Sequence, residues 1–421
     1  MESIRDRLKR MTRDRQGAAG EAKPVRPPET PAFTVELRTA RFPLDTVHGH
    51  TPLAGLWPPR PNLYRLASLP VPPPDASPPE ILFLDTETTG LAGGTGTLAF
   101  LAGTARLDPA RGDLVVEQYF LPDPSAEPAF LAPLAEALGR AGLLACFNGK
   151  SYDLPLLNTR FILNGFPPVS PDLPVADLLH PARRRWKGDI GACDQRSVER
   201  HALGVHRRGD IPGELIPDLY FRYLRDRDRG PLEEVFRHNL LDMLGMAALF
   251  ARLNTLVPEA EPARDPADWA CLLGTLDARG RLAEFEEIFA LQSDALLEAG
   301  RRHLPAGRVL ARLLKRVGRR EEAWRLYLHL GTARPRDVPE SFAEVLKYEE
   351  HILRDFALAL RHCDEFEAVL LRVPGVTEIV LDLRRRRERL RKKEAQKAQK
   401  AQPESPENGH RCVTGSPAPE E

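Results

Sequence analysis

The stretch "ILFLDTETTGLAGGTGTLAFLAG", residues 81–103, constrains this chain more than any other. An apolar run from Ile81 to Leu84 ends in two carboxylates, Asp85 and Glu87, and then in a turn carrying Gly90, Gly93, Gly94 and Gly96. Read as a strand, the run places residues i and i+2 on one side, so both carboxylates project together from its carboxyl end. Open α/β sheets commonly take ligands at that edge. Two bare carboxylates so close repel each other, and surface ion pairs or a divalent cation relieve the repulsion. An isolated Asp-x-Glu is more often a pair of surface charges, so the reading turns on what accompanies it.

The surrounding pattern sets the fold class. Strands are expected at 81–85, 97–107, 114–121 and 143–147, and helices at about 126–141 and 153–164. Successive strands joined by short turns run antiparallel, and a strand following a helical crossover can return parallel, which makes a mixed α/β sheet. A less regular, arginine-rich stretch, 167–230, leads into a helix from about Pro231 to Leu253. Beyond Pro266 the periodicity is helical throughout. Residues 272–291 and 310–330 align with Gly280 over Gly318, an offset of 38 residues, each reading as helix, glycine turn, helix. That is the spacing of a tetratricopeptide-like pair.

These patterns divide the chain. Residues 1–32 read as a disordered basic tail, with Ile4, Leu8 and Met11 at the spacing of a short amphipathic helix. A proline-rich extension, 33–80, ends before Ile81, where a compact α/β domain, 81–255, is expected to start. A helical region, 266–372, follows. The segment 384–421 reads as a basic, then polar, disordered tail, whose first part (384–400) has ten basic against two acidic residues.

More acids stand where the fold can gather them. "LLACFNGKSYDLPLL", 143–157, runs from strand through turn to helix, with Asn148 in the turn and Asp153 near the helix start. "FRHNLLDMLGMAAL", 236–249, sets His238 and Asp242 four apart on one helix face. Asp85, Glu87, Asp153 and Asp242 on three elements, with a histidine, are what two-metal phosphoryl chemistry requires. Mg²⁺ suits such a site because it takes one or two carboxylates and keeps water and substrate phosphate as its other ligands. His238 is placed to take a proton, its unperturbed pKa being near 6.5.

At these residues the chain resembles a known superfamily. "DTETTG", "FNGKSYDLPLL" and "HNLLD" are similar to the three motifs of the DEDD exonucleases, and "ADLLHPARRRW" with "DIPGELIPDLYFRYLRD" narrows the resemblance to YprB-type ribonuclease H-like proteins. The likeness covers about residues 35–255. It implies a ribonuclease H-like mixed sheet followed by an all-α, helical-repeat-like domain. It also implies a metal-dependent nuclease, generally a 3′–5′ exonuclease, with two Mg²⁺ or Mn²⁺ ions. Metal-ligand roles then fall to Asp85, Glu87, Asp153 and Asp242, and the general-base role to His238. The histidine subclass usually has four residues between its histidine and aspartate. Here there are three, the spacing of the tyrosine subclass.

Asn148, Lys150, Tyr152, Arg184 and Trp186 are the candidate substrate contacts. Residues 183–208 carry eight basic against three acidic residues, and a polyanion passing an acidic centre needs flanking cations, with Trp186 and Tyr152 able to stack on bases. Ordinary solvated charge explains the same run equally well. "GKS" at 149–151 lacks the glycine a phosphate-binding loop requires at Leu144, and "GTGTLA" leads into a β-rich run where a dinucleotide fingerprint needs a helix. Cys193, His201 and His206 lack a second cysteine at zinc-ligand spacing, and Asp177 reads as an N-cap or structural residue.

Composition excludes little else. Lys+Arg and Asp+Glu both number 60, so net charge does not indicate a partner. Five cysteines without a CxxC pair favour a reducing compartment, and the first thirty residues lack an apolar signal core, so a cytoplasmic location is expected. The longest uncharged stretch, Thr88 to Ala105, holds too many glycines for a membrane span. Expected partners are therefore a nucleic acid, DNA or RNA with a single-stranded end, and a protein recruited through 266–372. The competing function is an adaptor that keeps the nuclease fold as a scaffold and recruits through its helices.

Overall fold

The computed structural model describes residues 33–401 except 91–95, 109, 260, 336 and 338. The amphipathic stretch at Ile4, part of the glycine turn and the polar tail beyond 401 lie outside the described residues. The chain begins with β1 (Glu36–Pro43), a small hairpin of β2 (Val47–His48) and β3 (Thr51–Pro52), and the short helix α1 (Pro61–Leu66). There follow β4 (Ile81–Thr88), β5 (Ala99–Asp108), β6 (Asp113–Phe120), α2 (Glu127–Arg140), β7 (Leu143–Cys146), α3 (Asp153–Leu163) and β8 (Val175–Asp177). Helices α4 (Leu179–Ile190), α5 (Gln195–Val198), α6 (Ile216–Asp226) and α7 (Leu232–Asn254) complete this half.

The six-stranded sheet has the order β1-β6-β5-β4-β7-β8. Its β1, β6, β5 and β4 pair antiparallel, whereas β7 and β8 add parallel beyond β4, each after a helix-bearing connection. The mixed sheet expected from the sequence is thus present. One boundary differs: the sheet takes its edge strand from Glu36–Pro43, ahead of the proline-rich segment, and not from Ile81 onward. β1 alternates half-buried and exposed residues along its length, the pattern of a strand with one wet face, and it pairs residue for residue with β6.

Alternation along β4 sorts the core into two layers. Ile81 and Phe83 join one apolar cluster with Met243, Ala247 and Phe250 of α7, whereas Leu82 and Leu84 join another with α2, α3 and α6. Asp85 and Glu87 continue the Ile81–Phe83 row, so they emerge on the side of α7.

Beyond Pro266 the chain is helical: α8 (Pro266–Arg279), α9 (Leu282–Arg302), α10 (Leu304–Arg316), α11 (Arg320–Ala333), α12 (Glu340–Tyr348), α13 (Phe356–Leu370) and α14 (Thr377–Ala401). Gly280 and Gly318, aligned in the sequence, both take the left-handed backbone conformation just beyond helix ends, at φ 67° and 84°. The cluster that begins on the sheet runs without a break through Trp269, Leu276, Phe285 and Leu310 to Leu330. A separate cluster centred on Phe342 and Phe366 joins α12, α13 and α14.

The basic run 384–400 departs from expectation, since it is helical and packed. Val380, Leu383 and Leu390 are buried, and the arginines are anchored: Arg389 and Lys393 bond Glu350, and Arg384 and Arg387 bond Glu367. Buried carboxylates on α13 and on the turn after α12 hold charges that read as solvated in the sequence. Among the described residues, no helix is long and apolar enough to cross a membrane.

Candidate active site

The expected ligands come together at the end of β4. His238 and Asp242 lie one turn apart on α7, with Nε2 of the histidine 3.0 Å from Oδ2 of the aspartate and 4.0 Å from Oε1 of Glu87. Candidate ligand atoms of Glu87, His238 and Asp242 lie within 4.8 Å of one another. Asp153, in the first turn of α3, approaches from the opposite layer. Its Oδ1 accepts from both the backbone N–H and the hydroxyl of Thr86, the residue between the two strand carboxylates. Asp85 is held from α7, where Nδ2 of Asn239 donates to its Oδ2 over 3.0 Å.

That last hydrogen bond depends on a close approach. A Cβ on Gly103 of β5 would stand 2.4 Å from Oδ1 of Asn239, so only glycine lets α7 settle there. Gln118 of β6 fixes the amide from behind, its Nε2 donating to Oδ1 of Asn239 at 3.0 Å and to the carbonyl of Phe236 at 2.8 Å.

Electrostatics record the crowding. Burial, then the charges of Asp242, Asp153 and Glu87, push the Asp85 carboxyl well above the usual range, opposed by the Asn239 hydrogen bond. Burial pushes Glu87 to about 8, with His238 opposing and Asp242, Asp153 and Asp210 adding to the rise. Asp153 is raised by burial against its Thr86 hydrogen bonds. Burial alone would lower His238, but Asp242, Glu87 and Asp210 outweigh it and raise the imidazole to about 9.

Several residues here escaped the sequence reading. Asp210 lies 2.8 Å from Nδ1 of His238, so the ring is held between Asp210 and Asp242. Arg207, 4% exposed, joins three acids: its guanidinium is bidentate to Glu199 at 2.6 and 2.8 Å, and its Nη1 lies 2.7 Å from Asp242 and 3.3 Å from Asp210. Glu199 in turn sits against Gly245 of α7, where a Cβ would stand 1.7 Å from its Oε1. Asp210 stands in the "DIPGE" motif and Asn239 beside His238, so adjacency to a motif was the one available signal.

A cleft of about 610 Å³ opens beside the acids, lined by Asp85, Glu87, Asp153, Asn148 and Tyr152 among others. Tyr152 is 58% exposed, Asn148 sits at φ 66°, and Lys150 is exposed on the same turn. Asp177, at the end of β8, shapes that turn by accepting from the backbone N–H groups of Asn148 and Lys150, the structural role expected of it. Two candidate substrate contacts are corrected. Trp186 is 3% exposed and packs in the core under α8, and Nη1 of Arg184 donates to the carbonyl of Leu66, outside the cleft lining. Their neighbour Arg185 bonds Asp265 and Asp268. Much of the basic run 183–208 is therefore internal wiring, because a helix under a second helical layer must neutralise its charges locally.

The acidic cluster fits divalent cations by the chemistry of its donors. Oε1 of Glu87 is buried and has no hydrogen-bond partner, and the raised carboxyls around it mark unbalanced negative charge. A family model described as the RNase_H superfamily matches residues 82–254, the span that holds every one of these acids. The uncharacterized protein YprB of Bacillus subtilis (strain 168) is 31% identical over 290 residues, covering 68% of this chain and 68% of that protein. The chain belongs to the ribonuclease H superfamily.

Solved structures add no functional argument to this ribonuclease H-like assignment. The family B DNA polymerase of Pyrobaculum calidifontis aligns over 50% of this chain and 30% of its own, at 14% identity and a TM-score of 0.33. The zinc-bound E. coli ExoI–ssDNA complex aligns over 38% and 44%, at 14% identity and a TM-score of 0.25. This chain spans less than half of either.

Proposed function

We propose that the chain is a metal-dependent nuclease, a 3′–5′ exonuclease acting on DNA or RNA. The observation that carries this reading is the buried Oε1 of Glu87, without a hydrogen-bond partner, within a group of four carboxylates, three of which (Asp85, Glu87 and Asp153) line a cleft. Asp85, Glu87, Asp153 and Asp242 would hold two Mg²⁺ or Mn²⁺ ions. Bound there, such ions would polarise a phosphodiester and its attacking water and would offset the carboxylates.

The remaining roles belong to the chain. With the carboxylates that raise it offset by bound cations, His238 would be neutral; it keeps Nδ1 against Asp210 and presents Nε2 to the carboxylates, so the proton it accepts arrives at Nε2. Asp210 fixes the ring's orientation and supports the imidazolium that forms. Tyr152 offers an exposed ring beside the cleft on which a terminal base stacks, and Lys150 offers a cation to the strand.

The test is incubation with labelled single- and double-stranded DNA and RNA, in EDTA and in Mg²⁺ or Mn²⁺. Hydrolysis is expected with metal alone, and Asp85→Asn should lower it by orders of magnitude while the fold persists. Full activity in Asp85→Asn refutes the assignment. One observation favours a second reading, an adaptor recruiting through 266–372: Arg207 and His238 already bond the two oxygens of Asp242. Calorimetric titration with Mn²⁺ separates the two, since the adaptor requires no metal binding.

A further inference from the structure

A concentration of basic side chains lies far along the chain from the acidic cleft, in the helices beyond Leu304. A cavity of about 710 Å³ between α11, α12 and α14 is lined by six basic side chains against two carboxylates, Glu344 and Glu350. A neighbouring cleft of about 560 Å³ shares Glu350, His351 and Lys393 with it and adds Arg354, Lys397 and Lys400. Together they form a trough along one side of α14.

The two acids do not neutralise it. Glu350 is buried and binds Arg389 and Lys393, each at 2.9 Å, with Arg386 3.7 Å away, and Glu344 takes both Lys315 and Lys347. Arg320 has no charged partner among the described residues. One carboxylate to two or three cations orients the basic groups and leaves their surplus charge facing the trough.

Aromatic rings line the same surface. Trp324 and Tyr348 stack with centroids 5.5 Å apart and planes 23° apart, and both are half-buried, so their edges and outer faces border the cavity. In the neighbouring cleft the ring of Phe356 lies under Lys393 and Lys397, at 5.9 and 5.6 Å. Cations in a row answer a chain of phosphates, and rings that border the cavity answer flat bases; an acidic peptide would use the first and leave the second unmatched.

We infer that this trough binds a single-stranded nucleic-acid segment, its phosphates on the α14 cations and Arg320, and its bases against Trp324 and Tyr348. The inference goes beyond the chemistry at Asp85, since it holds whether or not that site cleaves. If the nuclease reading also stands, the trough is a second hold on the strand.

The test uses the full chain in EDTA, so that no hydrolysis intervenes, with a short oligothymidylate as probe. Binding should quench tryptophan emission in the wild type and in Asp85→Asn. Trp324→Phe should abolish the quench, because Trp186 and Trp269 are buried and Trp57 lines neither part of the trough. Arg320→Gln with Lys397→Gln should weaken binding and lower the salt slope by about 1.4, at about 0.7 for each phosphate no longer neutralised. The inference is overturned if Trp324→Phe quenches like the wild type, if the double variant keeps the wild-type affinity and slope, or if polyglutamate of equal charge quenches and competes equally well.

Discussion

Replacing Arg207 with methionine removes the one cation that joins Glu199, Asp210 and Asp242 while keeping the apolar stem. The three acids do not suffer equally. Asp210 retains Arg196 at 2.9 Å and His238, and Asp242 retains His238, but Glu199, fully buried, is left among the described residues with only the amide of Gln195 at 2.9 Å. Breaking a buried ion pair from one side costs about 3–5 kcal/mol. Arg207 lies in the cooperative unit of roughly 300 residues that ends with α11; at about 2.1 cal/mol/K per residue its unfolding entropy is about 0.6 kcal/mol/K, so the expected fall in melting temperature is about 5–8 °C.

The loss also acquires a pH dependence. Burial already raises Glu199, and Arg207 holds it down; without the guanidinium its folded pKa climbs further above the unfolded value. A carboxyl raised in the folded state contributes stability at low pH that is lost as pH rises, so the variant's deficit should be larger at pH 8 than at pH 5. Adding Glu199→Gln should recover most of it, because a neutral amide needs no counter-charge. Thermal melts of wild type, both single variants and the double variant, in EDTA at both pH values, complete the cycle. A deficit under about 1 kcal/mol at pH 8, or no recovery in the double variant, refutes the claim that Arg207 is the buried clamp of this site.

Three further outcomes are expected. Gly103→Ala drives a methyl into Asn239 and Met243, at 2.4 and 2.9 Å, and should cost about 1–3 kcal/mol in denaturant melts while loosening Asp85; a neutral result would mean α7 does not press on β5. His238→Ala should lower turnover about 10²–10⁴-fold with little change in Mn²⁺ affinity; unchanged turnover assigns the proton to another group. Burial pushes Glu350 up, but Arg389 and Lys393 outweigh it and hold the carboxyl at about 2, below its ordinary 4.5. Its contribution, at most about 3.5 kcal/mol at about 1.4 per pH unit and less after solvent screening, is therefore present above pH 4.5 and fades toward pH 2. Trp324 fluorescence should report the loss, and Glu350→Gln should flatten it.

What the sequence disclosed was local. Strand alternation at Ile81–Asp85, the four-residue step from His238 to Asp242, and the position of Asp153 at a helix start each state their geometry in neighbouring residues. Partnerships across long separations left no such mark. Nothing near Arg207 indicates that it meets Glu199 on one side and Asp242 on the other, and nothing near Trp186 announces that α8 will cover it. A proline-rich run looks like a boundary even when the chain has already laid down β1, because the pairing of Glu36–Pro43 with β6 is set some seventy residues away. Solvated and buried arginines also spell alike: the carboxylates of Glu350, Glu367 and Asp364, with the buried Leu390, distinguish the run in α14 from a free tail.

The apolar cluster that starts on the sheet and ends at Leu330 decides how this molecule opens. Secondary structure changes character near Pro266, yet the layer containing Phe83, Phe250, Trp269 and Leu310 has no gap there, so a cut at that point would strip Trp186 and the inner face of α8 together. The seam lies later, between α11 and α12, where Tyr327 is the one residue among those described that packs against both clusters. Amide hydrogen exchange should therefore divide the protein into two cooperative units of unequal size. The larger, through α11, protects its strands and first four C-terminal helices together. The smaller, α12 to α14, opens first and takes the basic trough with it, leaving the acidic cleft intact.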